Sequence, residues 1–398
     1  MKLLYRLFFV TGFLVVLVLV IAIARGYRID FENRSLSSTG ILAISSHPRA
    51  AKVYINDTLK GVTDINLTLS PGAYRIEVKK DGYTSWSKEV TLRGELVMSI
   101  DAILFPLNPT LSPLTNLGIL KAIPVYPTEK IVLFSETGDE TKDGIYLFDP
   151  VNQPISFLTP LKQLLLKKDA AALVGEVNLA QTSVTFSPDN TQGIFDFVLL
   201  DGTQRIFSYL VSLDEANGTP FDVSTSKETL LAAWKRQREL DTLKIFESFP
   251  REFTKIATDS FQMVQFSPEE TKILYQVNKP VNLPYMIKPR LIAANQTPET
   301  RTLDKDSYYL YDKKEDRNYK LPSPPSNLLW YADSKHLLFI EGKKISIIDY
   351  DGLNKQTVYS GPFENSFFTT TSDGKIIILT NLNPEANKFP DLYSISVR

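Results

Sequence analysis

Cysteine is missing from all 398 residues, and histidine occurs only at His47 and His336. The first absence excludes a disulfide framework, a thiolate metal centre and a thiol nucleophile. It does not fix the compartment, because a chain without thiols tolerates oxidising and reducing surroundings alike. The second absence leaves zinc with two remote imidazoles, and a Ser-His-Asp site would have to use one of them. No Gly-x-Ser-x-Gly elbow is present to supply its nucleophile. A strong charge of either sign is missing too: 44 basic and 45 acidic side chains leave a net charge of −1, and residues 106 to 398 carry 31 basic against 36 acidic. A surface that tracks phosphates needs the opposite bias, so nucleic acid is not an expected partner. The segment "DETKDGIYLFDP", residues 139–150, imitates the start of a calcium loop with Asp139, Thr141, Asp143 and Gly144, but Pro150 stands where a bidentate Glu is required. No cofactor, metal or catalytic residue is expected on these grounds.

What the chain does have begins with "LFFVTGFLVVLVLVIAIA", residues 7–24, which carries no charge. As a helix it would rise about 27 Å, enough to cross a bilayer. The expectation is a retained single-pass anchor behind a cytoplasmic N-terminus at residues 1–6. A cleaved signal peptide is the other reading, and Ala22-Ile23-Ala24 offers the small-x-small pattern it needs. Lys2 and Arg6 on one side face Arg25, Arg28 and Arg34 on the other, so basic residues barely decide the orientation. Residues 25–39, polar and ending in Ser/Thr, read as a tether.

From 40 to 105 the pattern is short strands broken by turn residues. Tyr74, Ile76 and Val78 alternate with Arg75, Glu77 and Lys79, so one face is expected buried and the other wet. Pro71-Gly72 and Asp81-Gly82 supply turns. About five strands suit a small sandwich. Its order of "SSHPRAAKVYIND", Gly61-Val62-Thr63, "LSPGAYRIEV" and Gly82-Tyr83 resembles a PEGA domain, with the four-residue signature altered to Pro48-Arg49-Ala50-Ala51. The resemblance implies an extracytoplasmic β-sandwich found in bacterial and archaeal surface proteins, with no catalytic residues to carry across. Tyr83 and Trp86 could stack on a sugar, or complete the sandwich core.

"FPLNPTLSPLTNLG", residues 105–118, holds three prolines before Leu114 and reads as a linker or a tucked boundary loop. Beyond it, Phe186-Ser187-Pro188-Asp189 and Phe266-Ser267-Pro268-Glu269 nearly repeat, with divergent copies aligned on Asp333 and Asp373. Each is a strand, a tight turn with an acid and a second apolar strand, and a third strand follows in "GIYLF", "IFSYLVS", "SYYLYD", "KISIID" and "DLYSIS". These residues resemble the TolB-type β-propeller repeat. The recurring acids serve the turn.

Residues 106–398 are therefore expected to form five or six blades. They are interrupted by a helical insertion over about 226–257 that Pro250 divides in two. Lys235, Arg236 and Arg238 on that insertion could meet an acidic partner or a lipid head group, or form a solvated face. The fold class is thus mainly β: an N-terminal transmembrane helix, a PEGA-type sandwich and a propeller.

Two functions stay open. One is a membrane-anchored extracytoplasmic scaffold that binds a cell-wall or surface glycan, or an envelope protein, through its loops. The other is a propeller enzyme, a glycan hydrolase or lyase using channel carboxylates.

Overall fold

The protein is described by a computed structural model covering residues 2–24, 27–30, 35–150, 161–201, 205–292, 294–321, 326–385 and 387–397. Helix α1 runs Lys2–Ala24. Its described apolar side chains, among them Phe8, Phe9, Phe13 and Val18, are exposed. Among the described residues no helix is long and apolar enough to cross a membrane, so the span expected at 7–24 is not shown as one. The expected tether lies partly outside the described residues, and what is described of it departs from an extended linker. Tyr27–Asp30 pairs antiparallel with Ser35–Ser38.

Alternating apolar residues then build two facing sheets. One has the strand order Ile65–Leu69, Gly40–His47, Val97–Ile103; the other runs Thr58–Val62, Lys52–Ile55, Gly72–Lys79, Trp86–Leu92. The strand Gly40–His47 pairs antiparallel with Ile65–Leu69 and parallel with Val97–Ile103. Leu42, Ile44, Val53, Ile55, Ile76 and Val78 meet between the sheets. Two strands exceed the sequence reading, on either side of Thr63-Asp64. The expected wet face also needs one correction: Glu77 is buried, with Arg75 and Lys79 folded over its carboxylate, which holds its pKa below the usual value.

Five four-stranded antiparallel sheets follow among the described residues, against the five or six blades expected. Blade 1 comprises Ile119–Pro124, Ile131–Ser135, Gly144–Phe148 and Leu161–Leu166. Blade 2 comprises Val177–Phe186, Gln192–Leu199, Ile206–Ser212 and Phe221–Asp222. Blade 3 comprises Phe261–Phe266, Lys272–Val277, Tyr308–Asp312 and Arg317–Lys320. Blade 4 comprises Ser326–Trp330, His336–Glu341, Lys344–Asp349 and Gln356–Tyr359. Blade 5 takes Phe368–Thr370, Lys375–Thr380 and Asp391–Ser396 from the end of the chain and its fourth strand, Thr110–Pro113, from the beginning.

That last pairing, Thr110 with Ser396 through Pro113 with Tyr393, closes the ring. The proline-rich segment is therefore a closing strand as well as a boundary loop. Pro113 is tolerated because the strand lies at the edge of its sheet, where a missing N–H breaks no ladder. The middle strands Ile131–Ser135 and Gly144–Phe148 are buried along their whole length, since neighbouring blades cover both faces.

The helical insertion is α3, Lys227–Phe246, and α4, Arg251–Ser260, after a short α2, Lys167–Val174, earlier in the chain. Pro250 divides the insertion as its fixed φ and missing N–H require. Trp234 packs on Ile194 and Val223 of blade 2, while Phe246 and Phe253 pack on blade 3, where the Phe253 and Tyr311 rings stack at 4.1 Å. The helices thus join these two blades.

The repeated turns share one geometry. Asn190, Glu270, Ser334 and Gly374 all adopt the left-handed region, with φ of 57°, 54°, 57° and 83°. The aspartates serve the turn: the Asp189 carboxylate accepts from Ser187 Oγ at 2.5 Å, Asp333 accepts from the backbone N–H of Lys335 at 2.9 Å and Asp373 accepts from Thr371 Oγ1, whereas the Glu269 carboxylate points to Lys314 at 3.8 Å. Blade 1 has the same backbone pattern at Val125, whose N–H donates to Lys130 and whose carbonyl accepts from Thr128. It was missed in the sequence because Val125-Tyr126-Pro127 has neither the serine nor the acid.

Candidate functional site

Two places concentrate polar chemistry: the seam between the sandwich and the propeller, and the centre of the ring. At the seam, Lys88 from the sandwich donates to Asp351 of blade 4 at 2.6 Å, with the two side chains 15% and 1% exposed. Asn295 Nδ2 and Thr297 Oγ1, on an insertion of blade 3, donate to the same carboxylate at 2.8 and 2.7 Å. Burial alone would raise the pKa of Asp351, but Lys88 and these donors hold it below the usual carboxylate value.

Beside it, Asp349 accepts from Trp86 Nε1 at 3.3 Å and from Asn354 Nδ2 at 2.8 Å, and pairs with His336 Nε2 at 3.1 Å. Nδ1 of the same imidazole faces Asp333 Oδ2 at 2.7 Å. Burial works against protonation of His336, but the hydrogen bonds of its two carboxylate partners outweigh it and bring the pKa up to about 9. Both ring nitrogens face carboxylates, so neither is available to take a proton from a substrate. The group is a structural imidazolium.

Around this charged centre Gln296 exchanges two hydrogen bonds with Thr91, at 2.6 and 2.9 Å, and Ser87 N–H donates to Asn354 at 2.9 Å. Glu315, whose pKa burial raises, accepts from Asn295 N–H at 2.8 Å. A cleft of about 370 Å³ remains between the modules.

The central cavity, about 750 Å³, is lined from the inner side of every blade, by Lys121, Ala180, Gln265, Leu329 and Phe368 among others. Lys121 carries the single formal charge among the described residues that line it. A channel glycosidase needs two carboxylates flanking its bond. The described lining contains neither Asp nor Glu.

Against known proteins, a PEGA domain model matches residues 39–108. Residues 39–108 are a PEGA domain. No curated protein matches the chain by sequence. Solved structures with similar chain paths are TolB-type and other β-propellers. A TolB structure from Agrobacterium tumefaciens is 11% identical at a TM-score of 0.20, over 63% of this chain and 66% of that one. The propeller domain of the trilobed protease from Pyrococcus furiosus is 10% identical at 0.18, over 90% and 84%. The Cps50 (Swd1) propeller of Myceliophteria thermophila is 12% identical at 0.18, over 72% and 73%. Such scores bear on neither ligand nor activity; the five closed sheets carry the architecture.

The PEGA domain places the expected contact residues as follows. Trp86 is 6% exposed and turns its indole N–H to Asp349, so its ring belongs to the seam. Tyr83 is half-buried against the PEGA core and bridges to Pro106, while Thr84 N–H donates to the Phe105 carbonyl and Phe105 N–H donates to Thr84 Oγ1 alongside. The closing Gly-Tyr of the domain thereby clamps the chain as it leaves for the propeller. Phe105 then sets its ring edge-on to His336 at 5.7 Å.

On α3, Lys235 and Arg236 are exposed, whereas Arg238 donates to the carbonyl of Phe186 in blade 2. Arg238 thus fastens the insertion to the ring. His47 is exposed at the PEGA turn. In the calcium-like segment, Asp143 accepts from the backbone of Thr137 and Gly138, and no metal-binding cluster occurs among the described residues. Sequence reasoning missed Lys121 and the seam acids Asp349 and Asp351.

Proposed function

We propose that the chain is a membrane-anchored binding or scaffold protein of a prokaryotic cell envelope. Its PEGA domain and propeller stand outside the membrane and meet a cell-wall or surface glycan, or an envelope protein, through propeller loops. The observation that carries the reading is the seam. A buried Lys88–Asp351 pair and the Trp86–Asp349 bond hold two β-modules as one body, which suits fixed presentation of a surface better than flexible capture. Helix α1 supports the anchor, since its described apolar side chains lie exposed with no protein packed over them. The alternative, a propeller glycan hydrolase or lyase, finds no carboxylate pair in the described cavity lining.

An alkaline phosphatase or a green fluorescent reporter fused after residue 398 tests the location. Phosphatase activity with a dark fluorescent fusion is expected; the reverse overturns the envelope assignment. Glycan arrays probed with the full chain in nanodiscs should give retention without released product, and release would move the reading to the enzyme.

A further inference from the structure

Lys121 is placed unlike three other lysines that are withdrawn from solvent. Lys88, Lys227 and Lys272 each face a carboxylate, Asp351, Asp196 and Asp312, at 2.6, 2.8 and 3.3 Å. Lys121 instead donates to the carbonyl of Thr182 at 2.9 Å and lies 5.8 Å from the centre of the Phe134 ring. Among the described residues it forms no ion pair, and burial lowers its pKa. A partly desolvated cation that faces a cavity with no counter-ion beside it is a candidate binding group.

Its surroundings are built rather than incidental. Blade 2 bulges between Asn178 and Ser183, which takes Thr182 out of the ladder and leaves its carbonyl to fix the ammonium. Asn327, Asn365 and Ser366, also lining the cavity, hold left-handed backbone angles of 56°, 53° and 52°. Asn327 Nδ2 donates to the Ser366 carbonyl at 3.1 Å. Asparagine tolerates that region, and these turns set polar groups beside the cavity. The remaining lining is mostly apolar, including Leu328, Leu329 and Phe368.

We propose that the central cavity binds a small organic monoanion, a carboxylate on an apolar body, with Lys121 as its counter-ion. The volume of about 750 Å³ lies in the range of small-molecule sites. One point charge suits a carboxylate; a phosphate dianion calls for further cations or an arginine fork. The apolar wall takes the body, and Asn327 and Asn365 offer amides to polar substituents. This deepens the binding reading and rests on it, adding a ligand class that does not depend on what the outer loops meet.

Titration calorimetry on the full chain in nanodiscs, with 3-phenylpropanoate, 3-phenylpropanamide and phenyl phosphate, tests it. Saturable binding of the acid is expected, at least tenfold tighter than the amide and tighter than the phosphate. Lys121→Met should weaken the acid at least tenfold while leaving the amide unchanged, and Ala180→Phe, which fills the cavity, should abolish both. Equal binding of acid and amide, full retention by Lys121→Met, or no binding of the acid at millimolar concentration overturns the proposal. Should either variant not fold, the preference of acid over amide in the unaltered chain decides alone. Failure here leaves the reporter result standing, and a cytoplasmic reporter leaves the titration standing.

Discussion

Lys88 and Lys121 are the same side chain in two regions of one molecule, and their neighbours differ. At the seam, Lys88 finds a carboxylate that Asn295 and Thr297 also satisfy. In the cavity, Lys121 finds a carbonyl and a ring. The seam is closed electrostatically within the chain, as a contact between modules must be if it is to persist. The cavity is left one negative charge short. The difference separates architecture from recognition where a list of polar residues would not.

The largest effect should come from opening the seam. Replacing Asp351 by Ala leaves Lys88 nearly buried without its partner and strands the donors of Asn295 and Thr297. Breaking one side of such a pair typically costs about 3–5 kcal/mol. Urea unfolding followed by hydrogen exchange at Ser87 and Thr91, whose amides bond across the seam, should show a seam transition at lower denaturant. A shift below about 1 kcal/mol would mean that the pair is no stronger than a surface one, and the contrast with the cavity would fail.

Next in size is the response to pH. The pKa of His336 rises from 6.5 to about 9 on folding, so its contribution is fully present below pH 6.5 and is lost as pH climbs through 9. The shift corresponds to on the order of 3 kcal/mol. Asp351 works in the opposite sense: its pKa is lowered, so its contribution is present above 3.8 and is lost as pH falls further. Hydrogen exchange at Ser87 and Thr91, whose amides bond across the seam, should be slowest between pH 3.8 and 6.5 after correction for the intrinsic rate. His336→Gln should flatten the alkaline limb and leave the acid limb.

Much of the fold is legible in the chain because it is written locally. The third strands of all five blades, the break at Pro250 and the acid-bearing turns depend on neighbours a few residues apart. Thr110–Pro113 is not legible, since it is four residues long, contains a proline and pairs with a strand at the other end of the chain. The site is less legible still. Trp86 and Asp349 stand 263 residues apart, and Lys121 in "ILKAIP" is an unremarkable polar residue on a short strand. Its isolation appears only when five inner strands enclose it. One local signal does survive: Ala50, where the PEGA signature has glycine, still adopts φ of 58°, so the turn is kept although the residue suited to it is not.

The smallest effect sharpens the comparison most. Lys121→Met keeps the length and apolar stem of the side chain and removes a charge that burial already disfavours. The variant loses the bond to Thr182 and the contact with Phe134, each modest in net terms. Against that loss it no longer holds an ammonium away from water without a counter-ion. The balance should be a slight gain once solvent screening is counted, while Lys88→Met should lose about 3–5 kcal/mol because it leaves the buried Asp351 carboxylate without its cation. Parallel urea titrations of the two variants at pH 7 measure the pair of signs. Opposite signs fit a seam complete within the chain and a cavity awaiting an anion. Equal losses would mean that Lys121 is as much a part of the frame as Lys88, and the ring would have no vacancy for a ligand to fill.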